Sequence, residues 1–215
     1  MSKFHSAVLA ILVTALAWSS TTYSAESTAE RKALAGIQTQ GAVVRGTFVQ
    51  EKYLAELDQP LISKGRYLIA REQGLIWRVQ QPLTTTLIIG QRQLVQRNNG
   101  RETLRISADK QPGLSVVAAI LLAIFQADVE RLQDFFAIET QTAAAGQWSV
   151  QLRPTQASVG EFIQSVRIEG GQTIEHIDIQ EAGGDRSVIK LSDTRPDANG
   201  LTDQEQAEFS DCPDC

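Results

Sequence analysis

Histidine and cysteine, the residues that most often carry metal or nucleophilic chemistry, are nearly missing from this chain. Its 215 residues hold two of each. His5 and His176 stand alone in sequence, and a lone histidine builds no zinc site without further ligands. No G-x-S-x-G, H-E-x-x-H, G-x-G-x-x-G or phosphate-cradling Gly-Lys-Ser/Thr occurs. The carboxylates are scattered, and no pair is set by sequence into an apolar pocket. A basic excess is also lacking: the formal net charge is −5 and no basic patch stands out, which excludes nucleic acid as a partner. No apolar run reaches the roughly 20 residues that a membrane-spanning helix needs. These absences point away from an enzyme and imply no cofactor or metal.

What is present suits one globular domain. Hydrophobic residues make up 42% and charged residues 21%, so the chain is neither disordered nor membrane-spanning throughout. The first 25 residues read as a secretory signal. Lys3 precedes the 11-residue apolar run Ala7–Ala17, and small residues follow up to Ala25. No cysteine stands near that boundary to accept a lipid. Export places the mature chain, from residue 26, in an oxidising compartment. A helix is expected over Ser27–Gln40, with Ala33, Leu34 and Ile37 as a narrow apolar stripe.

The centre of the chain is Gly46–Ile89, four extended segments in succession. Val44, Gly46 and Phe48 share one parity against Arg45 and Thr47. Leu75, Trp77 and Val79 share a face against Arg78 and Gln80. Period-two alternation marks half-buried strands, here an antiparallel meander with one dry face. Further strands are expected over Gln91–Val95, Glu102–Ala108, Phe136–Thr140, Gln147–Arg153, Phe162–Glu169, Thr173–Gln180 and Ser187–Leu191. About ten or eleven strands at short, even spacing argue an all-β sandwich or barrel with helices inserted.

One insertion is unusual. Pro112–Phe125, PGLSVVAAILLAIF, is apolar nearly all round and carries no charge. A helix without a polar face must be buried on most sides. Either it is a core helix under a strongly curved sheet, or it faces a second apolar partner such as a lipid or another chain. A short second helix, Asp128–Phe136, follows, and Pro154–Gly160 reads as a loop. From Asp193 the chain turns polar and acidic and reads as a surface tail, with Leu201 and Phe209 as tethers. Residues 195–215 form that tail, and it closes on the two cysteines.

Cys212-Pro-Asp-Cys215 allows a structural disulfide, or a redox or metal role. Its acidic surroundings disfavour the thiolate that redox chemistry needs. Arg71, at the end of the second segment beside Glu72, also has two readings. It either forms an ion pair at a strand end, or donates at a cavity mouth to the carbonyls of a helix lid.

Read in order, Gly46, Phe48 and Gln50, then Pro60, Leu61, Ser63 and Gly65, then Arg71 and Trp77, then Gln81-Pro82 resemble the LolA-type lipoprotein carriers. Leu152–Ser158, Gly171–Ile174 and Asp185–Ser187 extend the resemblance, which covers roughly Ile37–Thr194. It implies an incomplete antiparallel β-barrel covered by short helices around an apolar cavity. Such a carrier takes up acyl chains of a lipoprotein and crosses the periplasm of a Gram-negative bacterium as a monomer. It works between an inner-membrane lipid-releasing transporter and an outer-membrane acceptor. The resemblance places the lid-holding arginine on Arg71. The chain departs from the family at Leu75, where an aromatic is usual, at Glu72, where proline is common, in Gln91–Arg97, and in the terminal cysteines. The cargo is therefore a lipoprotein or another acyl lipid.

The cavity walls are expected to include Phe48, Leu75, Trp77, Val79 and Leu87 from the strands. Val117, Ile120, Leu121 and Ile124 of the apolar helix close them. The competing function is that of a periplasmic redox or structural protein working through Cys212 and Cys215.

Overall fold

The computed structural model describes residues 42–91, 93–107, 112–126, 128–142 and 147–210. The signal segment, the helix expected over Ser27–Gln40 and the Cys212/Cys215 pair lie outside the described residues.

The alternating segments become strands. The first half of the chain gives β1 (Val43–Tyr53), β2 (Leu61–Ala70), β3 (Gly74–Gln81), β4 (Thr85–Ile89), β5 (Gln93–Asn98) and β6 (Arg101–Ser107). Helices α1 (Pro112–Gln126) and α2 (Val129–Gln133) follow. The second half gives β7 (Phe136–Thr142), β8 (Trp148–Pro154), the single turn α3 (Ala157–Gly160), β9 (Ile163–Gly170), β10 (Ile174–Glu181), β11 (Arg186–Pro196) and helix α4 (Asp203–Ser210).

All eleven strands form one sheet in the order β6-β5-β4-β3-β2-β1-β11-β10-β9-β8-β7. Every pairing is antiparallel. Neighbours in sequence are neighbours in the sheet, save β6 and β7, and β1 meets β11. β6 and β7 are the two edges, so the barrel is not closed. The chain leaves one edge, runs through α1 and α2, and re-enters at the other.

The curl of the sheet has local causes at two glycines. A Cβ on Gly46 would fall 2.5 Å from the Tyr67 ring, and one on Gly65 only 1.8 Å from the carbonyl oxygen of Arg78. The missing side chains let Tyr67 lie over β1 and β2 bend against β3. The register slips between Arg45 and Thr47, and between Lys64 and Gly65, as bulges do where a sheet turns sharply.

Inside the curl, α1 and strands from both halves of the sheet form one apolar cluster. Ile120, Leu122, Ala123 and Ile124 of α1 are at most 1% exposed. The curled sheet therefore supplies the apolar surroundings that a helix without a polar face demands. Asp128 caps α2: its Oδ1 accepts from the Arg131 backbone N–H at 3.1 Å.

The outside holds a feature that the single dry face did not predict. Val43, Leu68, Ala70, Ile76, Ile88 and Val95, all of the opposite parity, form a second apolar patch. Phe209 of α4 and Leu201 before it cover this patch. The segment read as a surface tail from Asp193 thus continues β11 to Pro196 and then forms a helix. Arg45 pairs with Asp197 at 3.1 Å and Glu205 at 2.5 Å, and Arg78 grips both carboxylate oxygens of Glu208 at 3.0 and 2.6 Å. Burying Phe209 contributes about 1.5–3 kcal/mol, whereas each part-exposed ion pair adds about 0–1 kcal/mol. The apolar contact holds the helix, and the ion pairs set where it lies.

Candidate functional site

The inward positions of β1, β2 and β3 carry aromatics, and α1 brings a fourth. Phe48 stacks on Trp77 with ring centroids 3.6 Å apart at 21°. Phe125 meets Trp77 at 5.2 Å and 53°, and Tyr67 at 6.3 Å. This aromatic group seats the C-terminal half of α1. Burial pushes the Tyr67 phenol up from its ordinary value, partly offset by its 2.6 Å hydrogen bond with the Thr194 hydroxyl.

Beside that seat the packing leaves a hollow of about 410 Å³. Its sheet wall is Leu75, Trp77, Leu87 and Ile89 on one side and Ile163, Ile179 and Ile189 on the other. Leu121 and Phe125 of α1 lie over it, and Phe162, Gln50, Glu181 and Ser187 complete the lining. It therefore lies between two parts of the curled sheet and the underside of α1. Apart from the last three residues, its walls offer no hydrogen-bonding side chain except the Trp77 indole.

Of the nine residues expected to wall a cavity, Leu75, Trp77, Leu87 and Leu121 line this one. Phe48 stands one layer behind, stacked on Trp77. Val79 is half-buried against the same core, and Ile120 and Ile124 point into packed core rather than into the hollow. Val117 lies in α1, with its side chain outside what the structure describes. The apolar lining residues Ile89, Phe125, Phe162, Ile163, Ile179 and Ile189 were missed. Phe125 ends the apolar run, Ile89 shares the parity of Leu87, and Ile179 stands between Asp178 and Gln180, so for these three a signal existed. What sequence could not show is which strands face one another across the curl.

The family model described as "Outer membrane lipoprotein carrier protein LolA-like" matches residues 24–214. The chain belongs to this LolA-like family. Solved structures resemble it at low identity. A LolA superfamily protein from Nitrosomonas europaea is 11% identical, covers 81% of this chain and 95% of its own, and gives a TM-score of 0.46. A putative outer membrane lipoprotein-sorting protein domain from Vibrio parahaemolyticus is 12% identical, with 87% and 96% covered and a TM-score of 0.47. A DUF1329 family protein from Desulfovibrio piger is 10% identical, with 87% and 98% covered and a TM-score of 0.49. No curated protein matches the chain.

In this LolA-like chain Arg71 opens the β2–β3 turn and is exposed. Its backbone N–H donates to the Ala42 carbonyl at 3.0 Å, and its carbonyl accepts from Gln126 Nε2, at the end of α1, at 3.1 Å. The turn carrying Arg71 is thus tied to the helix that overlies the hollow.

A second hollow, of about 440 Å³, lies on the outer face beside α4, among Arg45, Arg66, Arg78, Arg195, Asp193 and Glu205. Its walls are charged and unsuited to an acyl chain. Among the described residues, no three of His, Cys, Asp and Glu gather where they could hold a metal ion.

Proposed function

We propose that this chain is a periplasmic carrier that takes an acyl chain of a lipoprotein, or of a related lipid, into the hollow under α1 and carries it towards the outer membrane. The observation behind this reading is an apolar cavity of about 410 Å³ under an uncharged helix, in a chain of the LolA-like family. Each buried methylene contributes about 0.8 kcal/mol. A ten-carbon stretch would therefore supply on the order of 8 kcal/mol before the costs of ordering are met. No catalytic group is needed for such binding.

The size of the hollow bears on the cargo. A water molecule takes about 30 Å³ of liquid volume and a methylene is of similar bulk, so the space accepts on the order of a dozen methylenes. That is one acyl chain. Two or three chains require α1 to move outward, and its Gln126–Arg71 tie is the contact that such a movement breaks. In this reading Arg71 steadies the lid, the first 25 residues direct export, and an inner-membrane donor and an outer-membrane acceptor stand at the ends of the route.

The reading is tested by expressing the full chain in a Gram-negative host, recovering it from the periplasmic fraction and incubating it with an acylated lipoprotein. Formation of a soluble one-to-one complex that releases its lipoprotein to outer-membrane vesicles is expected. Failure to keep the lipoprotein soluble contradicts it. Changing Cys212 and Cys215 together to Ser leaves this transfer intact if the chain is a carrier, and abolishes function if it is a redox protein.

A further inference from the structure

The inner face of the sheet changes character at one level on three adjacent strands. On β1 the inward sequence runs Phe48, Gln50, Lys52. On β10 it runs Ile177, Ile179, Glu181, and on β11, read in the reverse sense, Leu191, Ile189, Ser187. Register brings these positions side by side: Gln50 opposes Ile189, Lys52 opposes Ser187, and Ser187 opposes Ile179. A dry wall therefore ends in a polar lip. Gln50, Glu181 and Ser187 of that lip line the hollow itself.

The lip is built rather than incidental. Ser187 is only 5% exposed, and its hydroxyl lies 3.5 Å from Glu181 Oε1. Lys52 pairs with that same Glu181 oxygen and reaches Asp185 Oδ2 at 3.5 Å. Both carboxylates thus share one ammonium, which leaves the group with one net negative charge. Asp185 also accepts from the Ala55 N–H at 3.1 Å, which fixes it in place. Gln50, half-buried in the cavity wall, has a carboxamide with no hydrogen-bond partner among the described residues. A half-buried amide facing a cavity without a partner leaves both a donor and an acceptor for a ligand.

We infer that this lip recognises the polar end of the bound acyl ligand, and that it selects an uncharged amide, ester or hydroxyl there over an ionised carboxylate or phosphate. The inference rests on the acyl-carrier reading and adds a chemical preference to it. An amide or hydroxyl can donate to the lone pairs of Ser187 and bond with Gln50, and an ester carbonyl can accept from Gln50, while the chain lies against Trp77 and Leu121. An anion at the same place meets the surplus carboxylate, and Lys52 is already engaged twice. Both partners of an N–H or O–H donor, Glu181 and Ser187, are acceptors within the wall.

The test is competition against a fluorescent acyl probe bound to the full chain. The ligands share one 16-carbon chain and end in a hydroxyethyl amide, a carboxylate or a phosphate. The amide is expected to compete at least tenfold better than either anion. Gln50→Leu, at a position without a partner, should lower amide affinity severalfold and leave the anions unchanged. Glu181→Gln with Asp185→Asn, which makes the lip positive, should reverse the preference. Equal competition by all three ligands, or no effect of Gln50→Leu on amide affinity, overturns the inference and leaves the carrier reading standing. Failure of the probe to bind overturns both.

Discussion

Phe125, the last aromatic of α1, packs against Trp77 of β3 with ring centroids 5.2 Å apart. Trp77 in turn stacks on Phe48 at 3.6 Å. This stack joins the helix to β3 and β1, and both Trp77 and Phe125 face the hollow. Replacing Phe125 with Ala should cost about 3 kcal/mol, the low end for a buried phenylalanine because the hollow already lies on one side. Urea unfolding should show the loss as a lower midpoint with an unchanged slope. A loss below about 0.5 kcal/mol would mean that α1 is not seated by this contact.

The outer helix gives a second expectation. Phe209→Ala should cost about 3–4 kcal/mol, since Phe209 is 4% exposed in the cluster with Ile76 and Ile88. Arg78→Ala, which removes the paired contact with Glu208, should cost about 1 kcal/mol or less. Hydrogen exchange of the amides of residues 203–210 reads both effects directly. If Arg78→Ala frees α4 while Phe209→Ala does not, charge rather than burial holds this helix.

Tyr67 predicts an alkaline effect. Burial raises its phenol above the ordinary value of 10.0, so the folded chain holds that proton more tightly than the unfolded one. The associated stability is complete below the unfolded value and is lost as pH rises through the folded value. Tyr67→Phe should therefore flatten the fall in stability above about pH 10. Tyr53, whose phenol is raised mainly by the hydrogen bond it donates to Glu51, stays in both proteins and cancels in the comparison. Identical alkaline profiles would contradict the buried placement of the Tyr67 hydroxyl.

The tie between the Arg71 turn and α1 is expected to act on rates more than on stability. The Gln126 side chain at the end of α1 donates to the Arg71 backbone carbonyl, so it is Gln126 whose loss breaks the contact. Gln126→Leu should change the rate of acyl-probe uptake or release severalfold while the unfolding midpoint moves little. Unaltered uptake and release would leave the Arg71 turn an ordinary strand end.

Much of the fold was legible because the strands follow period two so plainly. Leu75, Trp77 and Val79 face inward and Arg78 and Gln80 outward, as alternation requires. The apolar helix was legible from its lack of charge. Three matters were not. The parity rule assigns one dry face per strand, yet Leu68, Ile76 and Ile88 are dry on the other face because a distant helix returns to cover them. Leu201 and Phe209 could be named as tethers, but two apolar residues in an acidic segment do not say which face of the sheet they cover. Within α1, a uniformly apolar sequence does not say which side chains meet the hollow. Leu121 does so, whereas its neighbour Ile120 is wholly buried in core. The Gly46 and Gly65 positions could be seen in the sequence, but the rings and carbonyl they admit could not.

That difference between neighbours supplies the most direct measurement: binding of a fluorescent acyl probe to the wild-type chain and to Leu121→Glu, with the sheet signal followed by circular dichroism. Leu121 is half-buried and overlies the hollow, so a carboxylate there should abolish probe binding and leave the sheet intact. Ile120→Glu, at a position with no exposure, should instead unfold the chain, because a charge buried without a partner is strongly destabilising. Saturable binding to the wild type, lost in Leu121→Glu at unchanged sheet content, is the result this account predicts. A wild type that binds no acyl probe, or a folded Leu121→Glu that binds as well as the wild type, would contradict it.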